Sequence, residues 1–229
     1  MKGYTAVIPM RAGSKGCPGK NERIFAGKPL YQHTFDQARS AGITDIVITT
    51  DITGLASQTL GDDIRILRRP AHLALDETSM DAVLSHFVDS PLCGTDRIIL
   101  LQVTSPLRKV EDIHKAVDLY ETGDFDLVLS ASAADRTVLK HGMSHGNEFL
   151  PLATASYCFS NRAQLPPVYK PDGGVFIFGM RWFGKHRTLG AGRIGLIESA
   201  FQPPMDIDTE EDFRNAEALF EAEDRTGGR

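Results

Sequence analysis

Four short runs of apolar residues punctuate the chain up to residue 130: residues 4–9 ("YTAVIP"), 45–50 ("DIVITT"), 97–103 ("RIILLQV") and 126–130 ("DLVLS"). Each is rich in Val, Ile and Leu and bounded by turn-forming residues, which predicts buried strands. Between them the apolar positions change period. Leu30, Phe35 and Ala38, then Ala82, Val83, Phe87 and Val88, then Ile113, Val117 and Leu119 recur at helical spacing. Strand and helix in alternation predict βαβ units, and so an α/β fold with a mainly parallel central sheet flanked by helices. Ligands in such sheets gather where strands end in loops. Three polar clusters meet that condition: the loop from Arg11, "TTD" ending at Asp51, and "QVTSPLR" ending at Arg108.

The alternation breaks over residues 135–172, where Gly, Pro and Ser accumulate. This segment is expected to be an excursion from the sheet, a hairpin arm suited to oligomerisation. The strand "GVFIFG" then returns to the core, followed by "RIGLIES" and a closing helix from Thr209 to about Glu223, with the tail "DRTGGR" expected to fray. The whole chain, 1–229, reads as one domain with 135–172 as its arm.

Charge narrows the function. Hydrophobic residues make up 41% of the chain, enough for a substantial core, and 25 Lys and Arg against 30 Asp and Glu leave a net charge of -5. That balance speaks against a general nucleic-acid or membrane binder, because phosphate-rich surfaces require a basic excess. No apolar run approaches the ~20 residues of a membrane helix, and "MKGYTAVIPM" turns polar too early for a signal peptide, so the cytoplasm is the expected location. Cys17, Cys93 and Cys158 are odd in number and widely spaced, and read as free thiols. His141 and His145 have the spacing of a helical zinc pair, but Gly142, Ser144 and Gly146 spoil the helix it needs.

Positive charge is nevertheless concentrated in one place. "VIPMRAGSKGCPGKN" carries Arg11, Lys15 and Lys20 among three glycines directly after the first strand. Glycines allow a ligand to approach the backbone, and the cations supply charge, so a polyphosphate is the expected guest. Two familiar phosphate loops do not fit. The Walker pattern fails at Ser14 and Asn21, and the dinucleotide GxGxxG pattern fails at Lys15. Near the other end, "DID" sets Asp206 and Asp208 two residues apart, on one side of an extended segment, where they can share a hard cation. Asp208 with Glu211 also reads as a capping box for the last helix, and residues alone favour that alternative.

The loop "IPMRAGSKGCPGKN" resembles the signature of the acylneuraminate cytidylyltransferases, the CMP-sialic acid synthetases. "TTD" at 49–51, "RPAHLALD" at 69–76, "LQVTSPLR" at 101–108 and "MDIDTEED" at 205–212 resemble the family's other blocks, in its order. Lys15 and Asn21 separate the chain from the related Kdo cytidylyltransferases, whose loop reads S-T-R-L-P-G-K-P. The resemblance implies a Rossmann-like nucleotidyltransferase fold and attack by a nonulosonic acid on CTP with loss of pyrophosphate. It implies that Arg11, Ser14, Lys15 and Lys20 hold the triphosphate, that Asn21 and Arg69 serve the nucleotide, and that Gln102, Arg162 and Gln164 contact the sugar. It further implies Mg²⁺ on Asp206 and Asp208, and a homodimer in which Lys140 reaches the partner's site. Asp172 and Phe176 stand where the family has Asn and Tyr, near the expected sugar pocket. Alternatives are a CMP-Kdo or amino-Kdo enzyme, a nucleotide-sugar-dependent glycosyltransferase that shares the Asp-x-Asp motif, and a non-catalytic nucleotide-binding regulator.

Overall fold

The computed structural model describes residues 1–55, 60–201 and 205–225. In chain order its elements are β1 (Tyr4–Pro9), β2 (Ile24–Phe25), β3 (Lys28–Pro29), α1 (Leu30–Ser40), β4 (Ile46–Thr50), β5 (Ile64–Arg68), α2 (Met80–Val88), β6 (Arg97–Leu100), α3 (Val110–Glu121), β7 (Leu127–Ala134), β8 (Gly142–His145), β9 (Glu148–Pro151), β10 (Val168–Gly179), α4 (Met180–His186), β11 (Ile194–Glu198) and α5 (Glu210–Arg225). Seven strands form one sheet in the order β11-β7-β10-β6-β1-β4-β5. All neighbours are parallel except β10, which runs antiparallel to both β6 and β7.

The unbroken apolar runs follow from burial on both faces. Along β1, Ala6 and Ile8 point into one core with Leu30, Phe35 and Ala38 of α1, Ile113 of α3 and Phe213 of α5. Val7 points the other way, into a second core with Leu84 and Phe87 of α2 and Phe183 of α4. Among the described residues no helix is long and apolar enough to cross a membrane.

Several boundaries differ from the sequence expectation. β7 continues to Ala134 and β10 already begins at Val168, pairing with it, so the excursion from the sheet is shorter than 135–172. Pro171 hid this extension, because proline argues against a strand interior; here it precedes a register shift before Phe176. The excursion does contain a hairpin, β8 with β9, turned at Gly146 in the left-handed region at φ 62°. His141 and His145 flank and end strand β8, not a helix, as the glycines implied. Strand β5 and helix α4 were not anticipated. Of the tail, Asp224 and Arg225 complete α5, while 226–229 lie outside the described residues.

The last helix is capped one residue later than the sequence pattern implied. The Asp212 amide donates to Thr209 Oγ1 at 3.2 Å, and the Thr209 amide donates to Asp212 Oδ2 at 2.8 Å. Thr209 and Asp212, not Asp208 and Glu211, therefore make the reciprocal pair. Thr209→Ala is expected to cost about 1 kcal/mol and to lower the melting temperature by roughly 2–4 °C. Glu211→Gln, tested the same way, is expected to leave it unchanged; the reverse ranking would return the cap to Asp208.

Candidate active site

Strand β1 lies between β4, which follows it, and β6, reached only after the chain has built β5 on the far side. At this switch point the loops after β1 and β6 diverge and open a crevice at the carboxyl ends of the strands. A cleft of ≈ 220 Å³ lies there, lined by Arg11, Lys20 and Asn21 from the first loop, Arg69 and Asp76 after β5, Gln102 and Thr104 after β6, and Asp206 and Asp208 before α5.

The first loop is held at several points. Asn21 donates from Nδ2 to the Arg11 carbonyl at 2.8 Å, tying the end of the loop to its start. The Ala12 amide donates to Asp51 Oδ1 at 2.8 Å, which is the task of the "TTD" block. Gly19 takes the left-handed conformation at φ 64°, and Cys17 is buried beneath the loop. Gly16 faces the Asp208 backbone so closely that a Cβ would collide with the Asp208 carbonyl oxygen. Buried Lys20 donates to the Ile207 carbonyl and, at 3.2 Å, to Asp208 Oδ1. Ser14 is half-buried on the same loop. Arg11 and Lys15 both reach Asp76, at 2.5 Å and 2.7 Å.

The "DID" segment behaves as an extended strand would. Ile207 is fully buried and its amide donates to the Thr104 carbonyl at 2.9 Å, while Asp206 and Asp208 line the cleft. Because the cap belongs to Thr209, the Asp208 carboxylate is not committed to the helix. Dehydrated surroundings push the Asp206 carboxyl above its usual range, opposed by a Thr104 hydrogen bond and reinforced by the Asp208 charge. A cation held by the two carboxylates would relieve that repulsion. Among the described residues no third His, Cys, Asp or Glu joins them. This donor set fits a hard cation that completes its shell with water and phosphate oxygens, not one held in an all-protein cage.

Arg69 is buried, lines the cleft, and donates from Nη2 to the Thr49 carbonyl at 2.7 Å; burial pulls its pKa down to about 10. Gln102 lines the cleft beside Gly173, where a Cβ would stand 3.1 Å from Gln102 Oε1. Arg108 is buried and bonds the Gly174 carbonyl, the Gln102 carbonyl at 2.5 Å and Gln37 Oε1 at 2.7 Å, riveting β10 to the loop after β6. Burial lowers it to about 9.

The arm residues lie elsewhere. Arg162 is exposed and pairs with Asp135 at 3.5 Å, Gln164 accepts from the Asn161 amide at 3.3 Å, and Lys140 ends a 3₁₀ turn; none of the three lines the cleft. Asp172 and Phe176 do not line it either. Asp172 is occupied by Ser130 Oγ at 2.6 Å, the Gly174 amide at 2.9 Å and Ser199 Oγ, and Phe176 joins the apolar core beneath α2 and α4. Strand alternation sends Phe176 to that core, opposite Val175 and Ile177. Sequence reasoning missed Asp76 and Thr104 as cleft residues. Asp76 closes the "RPAHLALD" block and Thr104 sits within "LQVTSPLR", so the blocks pointed to them without a role.

Residues 5–155 match the family model described as Cytidylyltransferase. The N-acylneuraminate cytidylyltransferase of Streptococcus agalactiae serotype III (strain NEM316) is 31% identical over 90% of the chain, which spans only about half (51%) of that relative. The CMP-N,N'-diacetyllegionaminic acid synthase of Legionella pneumophila (strain Philadelphia 1) is 31% identical over 94% of the chain and 95% of its own length. Among solved structures, a CMP:2-keto-3-deoxy-manno-octonic acid synthetase complexed with CTP superposes with a TM-score of 0.69 at 18% identity, covering 96% of this chain and 99% of that one, a likeness of fold. The switch-point cleft, its basic first loop, the paired aspartates and these matches agree: the chain belongs to the cytidylyltransferase family.

Proposed function

We propose that the cleft transfers a cytidylyl group from CTP to the anomeric hydroxyl of a nonulosonic, sialic-acid-like sugar in the cytoplasm. The hydroxyl oxygen bonds to the α-phosphorus, the bond from that phosphorus to the bridging oxygen breaks, pyrophosphate departs and the hydroxyl proton is lost. The observation that carries this reading is the meeting of Arg11 and Lys20 with Asp206 and Asp208 in one cleft.

Negative charge accumulates on phosphate oxygens in this reaction, so fixed cations and positioning contribute more than covalent catalysis. Arg11, Lys15 and Lys20 hold the triphosphate with Ser14. Lys20 is positioned by the Ile207 carbonyl, which fixes its ammonium group at the inner end of the cleft. Asn21 acts by keeping the loop closed on Arg11, and Arg69 faces the nucleotide from a buried, rigid position. Asp206 and Asp208 would hold Mg²⁺, which when bound neutralises phosphate charge. Gln102 orients the sugar at the opposite wall.

A homodimer completes the site. The arm exposes Met143, Phe149, Leu152 and Phe159, the last 91% exposed, an apolar set suited to burial against a second copy. Arg162 and Lys140 sit on that arm, clear of their own cleft, and serve the partner's sugar, Arg162 gripping the carboxylate in a planar fork. Gln164 supports that segment through its bond to Asn161.

A pyrophosphate-release assay of CTP against a panel of 2-keto sugar acids is expected to rank nine-carbon acids of the sialic or legionaminic type above Kdo and its 8-amino analogue. Preference for an eight-carbon acid would move the chain to the Kdo branch, and absence of turnover with every acid would remove the proposed reaction. Asp206→Asn and Asp208→Asn are each expected to raise the Mg²⁺ concentration for half-maximal turnover about tenfold or more. The Asp208 variant should keep its melting temperature, since Thr209 and Asp212 make the cap; unchanged metal dependence would dismiss the metal site. Light scattering at assay concentrations is expected to give a dimer, and active monomers would sever the arm from the chemistry.

A further inference from the structure

The phosphate cations of this cleft already hold an anion belonging to the chain itself. Asp76 sits on the loop between β5 and α2 and turns one carboxylate oxygen to Arg11 Nη1 at 2.5 Å and the other to Lys15 Nζ at 2.7 Å. Asp76 is an exposed residue, and the side chain of Lys15 is 87% exposed with no other ion-pair partner among the described residues. The two pairs hold the Asp76 carboxyl below its usual range, Lys15 contributing first and Arg11 second. A carboxylate bridging a guanidinium and an ammonium offers two oxygens with the spread of a phosphate edge. A polyphosphate cannot take the same two cations while Asp76 keeps them.

Resting on the phosphate-site reading above, we propose that Asp76 is a resident counter-ion. An incoming triphosphate displaces it, and it takes back Arg11 and Lys15 as pyrophosphate leaves. Asp76 thereby sets how strongly charged an anion must be to occupy the loop, and it weakens the hold on the product. Apparent affinity falls by the fraction of molecules in which the two cations are free. Because exposed ion pairs are individually weak, the combined effect is about three- to tenfold.

The opposite reading, in which Asp76 stays in place and aims the cations at the substrate, gives the opposite sign. Calorimetric titration of the full chain with inorganic pyrophosphate and with inorganic tripolyphosphate, at one fixed low ionic strength, separates them without needing turnover or a sugar. Asp76→Asn is expected to tighten both probes about three- to tenfold and to deepen product inhibition by pyrophosphate. Neighbouring Glu77→Gln makes the same change in net charge, and Glu77 acts on Lys15 only at longer range; it is expected to tighten binding less than about twofold. Equal or weaker binding by Asp76→Asn, or an equal gain from Glu77→Gln, would overturn the proposal. No binding of either probe by the parent chain and both variants would instead overturn the phosphate site itself, and the resident counter-ion with it.

Discussion

Between Gly16 and the backbone at Asp208 there is no room for a side chain. The first loop of the chain and the segment before its last helix therefore meet backbone against backbone, although 192 residues separate them in sequence. Lys20 secures the same contact by donating to the Ile207 carbonyl, and the Ile207 amide is bound in turn by the Thr104 carbonyl. Three loops from distant parts of the chain are thus fastened to one another around the cleft. A larger residue at position 16 would separate the basic loop from the paired aspartates before altering any charge.

The cations of the first loop are already paired with carboxylates of the chain. Arg11 and Lys15 face Asp76, and Lys20 faces Asp208. Each cation is close to where phosphate is expected, yet none is left facing only water. Arg69 follows a different rule: it lies buried with its guanidinium on the Thr49 carbonyl, and pays for that position with a pKa lowered to about 10. Arg108 is more deeply buried still, and carbonyls of Gly174 and Gln102 take its donors. One arginine lines the cleft, and the other holds its wall together.

Elsewhere, small changes of register decide which residues are free for chemistry. Capping by Thr209 and Asp212 leaves Asp208 to the cleft. Had the cap fallen one residue earlier, that carboxylate would have faced helix amides. Likewise the alternation along β10 sends Val175 and Ile177 to one core and Phe176 and Phe178 to the other. The substitution at Phe176 is consequently a matter of packing on the α2 and α4 face.

Local patterns along the chain carry the α/β class, the parallel core strands, the basic loop and the membership of its blocks in one family. These are properties of local spacing: apolar period distinguishes strand from helix, and residues such as Arg11, Lys15 and Lys20 lie close together along the chain. Those patterns did not reveal β5 or α4, and Pro171 concealed where β10 begins. Folding alone brings Asp76 to Arg11 and Lys15, sets Gly16 against Asp208, and turns Asp172 inward to Ser130 and Ser199. Those contacts join residues 27 to 192 positions apart. Their geometry depends on strand order and loop closure, which side-chain period along one segment does not encode.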